Sequence, residues 1–187
     1  MTRSVRDAIV VHEVLTARRV VRSAAPLSQW RLAVPATTFL EDLAPEVQTA
    51  FHRSIDALQQ AGAHIETIDL RETAELGPMQ AQGSLAAAES YAWHRPLLTQ
   101  SAHLYDPRVR SRIERGSTMG AADYIDLQHA RQDWIARMQA RMASFDALLS
   151  PCTPIPAPLM ADVAPGEARD AAFLKANALV LRNTSVV

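Results

Sequence analysis

A chain of 187 residues with 48% hydrophobic composition is long enough to bury one core, and its formal net charge of −1 gives no electrostatic case for nucleic acid or an anionic membrane surface. A single cysteine, Cys152, excludes an internal disulfide framework and suits a reducing compartment. The opening residues run into an apolar stretch broken by His12 and Glu13 rather than a secretory signal, and nothing approaches the ~20 apolar residues of a membrane span, so a cytoplasmic location is expected.

From Ser4 to about Val20 the positions Val5, Ala8, Ile9, Val11 and Leu15 fit a helix with Ser4 as N-cap and Asp7 three residues on. Its apolar stripe is wide enough to predict that something covers it. Arg31 to Pro35 reads as a strand ended by proline. Ala44-Pro45-Glu46 opens a helix in which Val47, Phe51, Ile55 and Leu58 recur until Gly62, and His64 to Leu70 alternates as a second strand. Strand, helix, strand is a βαβ crossover and predicts a parallel pair. His52 and His64 lack partners at metal-ligand spacing, so no metal is expected there.

The alanine-rich stretch Glu72 to Gln100 predicts helices interrupted near Gly77-Pro78 and at Pro96. Glu89, Tyr91, Trp93, His94 and His103 form its polar and aromatic cluster; a site there needs two or three of them to converge, nothing in the spacing shows that they do, and a mixture of helix surface and core edge is the expected reading. Pro107 starts a short helix with Val109 and Ile113 four apart and an arginine-rich outer face. Ala121 to Phe145 is the clearest helix, with Tyr124, Leu127, Arg131, Trp134, Met138, Met142 and Phe145 on one core-facing stripe.

That helix delivers the chain to Asp146-Ala-Leu-Leu-Ser150, a third strand that reads as covered on both faces. Prolines at 151, 154, 156 and 158 then force an extended loop. In an open α/β sheet, ligands bind outside the carboxyl ends of strands, so Ser150 to Pro154 is the first place to look for a pocket, with a stiff surface connection as the alternative. A last helix from Arg169 to Leu181 is expected to turn Phe173, Leu174, Ala178 and Leu181 inward. The elements together predict an α/β fold, a partial mixed or parallel sheet with helices on its faces.

The segment Asp-Ala-Leu-Leu-Ser-Pro-Cys-Thr-Pro-Ile-Pro-Ala resembles a late motif of the amidase signature family, serine hydrolases that cleave carboxamide C–N bonds. Tyr105-Asp-Pro-Arg-Val-Arg-Ser-Arg-Ile-Glu-Arg-Gly116, then a helix carrying Gln128, Arg131 and Trp134, follows the family's order. Met1-Thr-Arg-Ser-Val-Arg-Asp-Ala8 and Arg182-Asn-Thr-Ser-Val-Val187 resemble two further family segments, each cut short. The resemblance implies a single incomplete domain over 1–187, a middle-to-late portion of the amidase signature fold. It implies that Tyr105, Cys152, Thr153 and Pro154 stand at the pocket for a small-molecule amide.

The family's lysine, cis-serine, oxyanion hole and nucleophilic serine all precede the first matched motif, so no catalytic residue is expected in this chain. Nothing in it substitutes for them. Lys175 is the only lysine and has no Gly-rich serine turn near it, and the six glycines, at 62, 77, 83, 116, 120 and 166, are isolated. Gly83-Ser84 lacks the context of a nucleophile elbow. Cys152 would need a histidine brought from elsewhere and reads better as a small pocket-lining residue. Hydrolysis by the chain alone is therefore not expected, and no cofactor is called for. A non-catalytic binding module, or a subunit completing an active site in trans, is the alternative. Open strand edges predict self-association or docking of a missing N-terminal piece.

Overall fold

The computed structural model describes residues 2–186, with the side chain of Glu167 excepted, so Met1 and Val187, the outer residues of two of the motifs, lie outside the described residues. In chain order, α1 (Val5–Thr16) is followed by β1 (Arg31–Pro35), α2 (Pro45–Gln60) and β2 (His64–Ile68). Next come α3 (Leu76–Met79), α4 (Leu85–Ser101), α5 (Pro107–Glu114) and α6 (Ala121–Met142). The chain closes with β3 (Ala147–Leu148), α7 (Met160–Val163) and α8 (Glu167–Leu181). The three strands form one parallel sheet in the order β2-β1-β3. The α/β expectation and the βαβ crossover through α2 are both borne out.

Proline and capping chemistry place the elements well. Pro45 and Pro107 occupy first helical turns, and Asp106 accepts the amides of Arg108 and Val109 at 2.9 and 3.2 Å. Ser4 caps α1 through the Asp7 amide at 3.1 Å. That helix stops at Thr16 because Ala17 turns left-handed, at φ 53°, and Glu13 accepts the Val20 amide at 2.8 Å. Pro96 does not interrupt α4, contrary to the sequence expectation. It and Ala92, whose carbonyl would lose its partner, are both exposed, so water can take the place of the missing bond.

Three further expectations are corrected. β3 is two residues long, with Ala147 exposed and Leu148 half-buried, not a strand covered on both faces, because it sits at the sheet edge and Pro151 follows within three residues. α1 has no buried residue: Val5, Val14 and Leu15 are each at least 75% exposed. On α8 the inward stripe is Asp170, Phe173, Asn177 and Val180, with Leu174 and Leu181 outward, since an alanine-rich helix leaves its register to tertiary contacts. Leu32, Ala33 and Val34 of the central strand, with Phe39, Leu70, Ile113, Leu127 and Trp134, form the buried apolar set. The surface area is 13343 Å², against about 8,900 Å² expected for a compact chain of this mass. Half as much surface again as a finished domain is left open to solvent.

α4 packs closely against the turn that follows α5. Gly116, just past α5, is buried, and a Cβ there would overlap the Ala87 carbonyl and stand 2.8 Å from the Tyr91 Cβ. Gly116→Ala should therefore lower stability by about 2 kcal/mol through forced separation of the helices. A denaturant midpoint unchanged from the parent would show that the helices part freely.

Candidate substrate site

The loop after β3 is fixed by what its prolines leave available. Pro151 and Pro154 have no amide to donate, so each offers only its carbonyl. Asn183 Nδ2 donates to the Pro151 carbonyl at 2.8 Å and to the Phe39 carbonyl at 3.0 Å, while the Ala44 amide donates to the Pro154 carbonyl at 2.9 Å. Asn183 is only 2% exposed. Arg182 adds a bond to the Glu41 carbonyl and another to Asn183 Oδ1. The proline loop is thus clamped between the connection from β1 to α2 and the segment after α8. Within it Pro154 is fully buried, Thr153 is half-buried with its hydroxyl on the Ile155 carbonyl at 3.0 Å, and Cys152 is an exposed free thiol.

Tyr105 lies elsewhere. Its hydroxyl meets His94 Nδ1 at 2.8 Å, with the rings edge to face at 5.6 Å. The groove it lines holds His103, Arg110 and Glu114 and none of Cys152, Thr153 and Pro154. The polar cluster on α4 therefore divides: His94 joins Tyr105, Glu89 accepts from the Tyr124 hydroxyl at 3.1 Å, and Trp93 points outward, 78% exposed.

A more enclosed cavity, about 390 Å³, opens between α3, α4 and α6. Met79, Leu85, Leu127 and Trp134 make its walls apolar, and Arg131 brings the one guanidinium. Among the described residues Arg131 makes no ion pair, whereas Arg137, two turns along α6, is paired twice. Trp134 is oriented by its Nε1 bond to the Glu72 carbonyl at 2.8 Å. Arg137 grips both oxygens of Glu75 at 2.7 and 2.6 Å, which holds the Glu75 carboxyl below the usual carboxylate range and ties α6 to the segment carrying α3. Ser185 and Val186 also line the cavity, two and three residues beyond Asn183, so one short segment touches both the cavity and the proline loop.

Two residues of this arrangement take roles that the sequence does not assign them. Arg131 reads as part of the α6 core stripe and of a family-like segment, and a guanidinium on that stripe is the signal for a site. Asn183 falls in a family-like segment, but nothing local marks it as a clamp, because its partners lie 32 and 144 residues away.

Comparison with known proteins bears on what such a site does. The family model described as Amidase matches residues 1–184. An amidase of Pseudomonas putida is 32% identical over 130 residues, 68% of this chain and 27% of that protein. The 2-amino-5-chloromuconic acid deaminase of Comamonas testosteroni is 27% identical over 156 residues, 83% of this chain and 33% of the relative. Among solved structures, a crystal structure of an amidase superposes with a TM-score of 0.74 at 24% identity, covering 97% of this chain and 42% of its own. The allophanate hydrolase of Kluyveromyces lactis gives 0.68 at 21% identity over 87% of this chain and 26% of its own. These likenesses show the fold, and the chain spans about a quarter to a third of the curated relatives it matches.

Proposed function

We propose, on the premise that this chain belongs to the amidase family, that it forms the substrate-holding part of a hydrolase that cleaves a carboxamide C–N bond. The cavity beneath the start of α4 carries this reading: its apolar walls suit the body of a small amide, and unpaired Arg131 suits a carboxylate on it. The name of the Comamonas relative specifies an acid as its substrate, which agrees with such a pairing. The proline loop joins this cavity through the segment after α8, where Asn183 holds the Pro151 carbonyl; Pro154 is held there by the Ala44 amide, Thr153 lies beside it and Cys152 faces solvent. Tyr105, bonded to His94 toward the other end of α4, lines a separate groove.

Attack on the amide falls to a serine and a lysine outside these residues, in the same polypeptide or another. Lys175 is exposed on α8, and no two glycines stand together to present adjacent amides to an oxyanion. The serine oxygen adds to the carbonyl, its proton passes to the lysine and then to the departing amine, and water releases the acid from the resulting ester. Residues 1–187 act in this scheme as one incomplete domain, inactive alone, whose open sheet edges and bare α1 receive the remainder of the fold.

Calorimetric titration with a carboxylate-bearing amide and its neutral methyl ester tests the reading. The acid should bind 10- to 100-fold more tightly than the ester, and Arg131→Gln should erase that difference. Equal binding of both, or an unchanged preference in the variant, would remove Arg131 from the site. Turnover by the isolated chain would overturn the division of labour.

A further inference from the structure

We propose that the cleft between α4 and α5 is an oxyanion site for the phosphate or carboxylate group of a small molecule, separate from the Arg131 cavity. The cleft measures about 370 Å³ and is lined by Ser84, Ala87 and Ser90 on one side and Arg112, Ile113 and Arg115 on the other.

Its charge is unbalanced. Arg108 and Arg110, on the same helix, are paired with Asp170 and Glu114, yet among the described residues neither Arg112 nor Arg115 has an ion pair. Among the described residues no carboxylate lines the cleft. Two guanidiniums three positions apart repel one another, and an oxyanion between them removes that cost while accepting their planar donor edges. A net charge of −1 for the whole chain makes this a local feature, not part of a basic surface.

The frame is also stiff. Ile113 is buried, and Gly116 rests on the Ala87 carbonyl, so the turn carrying Arg115 cannot drift from α4. Ser84 faces the same space as N-cap of α4: its oxygen accepts the Ala87 amide at 3.1 Å, which leaves its proton free to donate, as does the Ser90 hydroxyl. The positive end of a 17-residue helix adds to the two arginines. Ser84 and Ala86 line this cleft and the Arg131 cavity alike, so only the first turn of α4 stands between them.

Inorganic phosphate and glutarate, titrated separately into ¹⁵N-labelled protein, test the site. Saturable shifts confined to amides of Ser84 to Ser90 and Arg112 to Gly116 are expected with one anion or both; phosphate alone would identify a phosphate ligand, and glutarate alone a carboxylate. Arg112→Gln with Arg115→Gln should weaken binding at least tenfold without lowering the unfolding midpoint, and Ser90→Ala should weaken it less. Binding unchanged in the double variant, or non-saturating shifts shared with other exposed arginines such as Arg53, would overturn the proposal. Because Arg131 is untouched, its preference for a carboxylate-bearing amide persists in the double variant whether or not this site exists.

Discussion

Asn183→Leu should cost about 2–6 kcal/mol of stability, the sum of leaving two buried carbonyls without a donor at roughly 1–3 kcal/mol each. The two hydrogens of Nδ2 serve the Phe39 and Pro151 carbonyls, and a leucine of similar size supplies neither. Asn183→Asp should be worse near neutral pH, since it turns a donor toward two carbonyl oxygens into a charged acceptor in a site 2% exposed. The sign with pH follows. Burial beside acceptors raises the carboxyl's folded pKa above its unfolded value, so the penalty grows as pH climbs past the unfolded value of about 4 and shrinks below it. Denaturant midpoints across that range check both claims. A leucine variant as stable as the parent would mean that water reaches those carbonyls.

Arg108→Ala ranks second. Its side chain is 13% exposed; Nε and one terminal nitrogen hold Asp170, the other terminal nitrogen donates to the Val163 carbonyl at 3.0 Å, and a further bond reaches the Ala164 carbonyl at 3.0 Å. The guanidinium also lies 4.2 Å from the centre of the Phe173 ring. Breaking a buried pair costs about 3–5 kcal/mol, and because Asp170 is 45% exposed and can be rehydrated, about 3 kcal/mol is expected. Arg108→Lys should recover only part, since an ammonium cannot reach the carboxylate and two carbonyls from one plane. A double-mutant cycle with Asp170→Ala separates the ion pair from the carbonyl bonds. Destabilisation under 1 kcal/mol in Arg108→Ala would show that α5 and the α7–α8 segment are held by other contacts.

What could be read from the residues alone was what proline, capping side chains and periodicity decide locally. Pro35 ends β1, Pro45 and Pro107 begin helices, Ser4 caps α1, and the prolines from 151 to 158 make the loop, because each acts on its own φ or on an amide a few positions away. Contacts made at a distance were not readable. The apolar stripe of α1 was visible, but whether anything lies on it is not a property of the stripe. His94 and Tyr105 are eleven residues apart with nothing in either to announce the other. Arg131 sat on a recognised stripe, and what distinguishes it is its place in the cavity wall, which depends on α3 and α4 being packed against that face. β3 looked like a buried strand because Leu148 and Leu149 are apolar, yet burial depends on neighbours that sequence periodicity does not count.

The sheet order has a consequence for how the chain is made. β1 is central, and its second partner, β3, is bonded through Asp146 to Arg31, 115 positions earlier. During synthesis at 5–20 residues per second, β1 leaves the ribosome roughly 6–23 s before the strand that completes its far side. Through that interval the hydrogen-bonding edge of Leu32 and Ala33 stays open, with β2 alone beside it. Parallel pairing over so long a loop is slow to form, so that edge stays open to aggregation until β3 arrives.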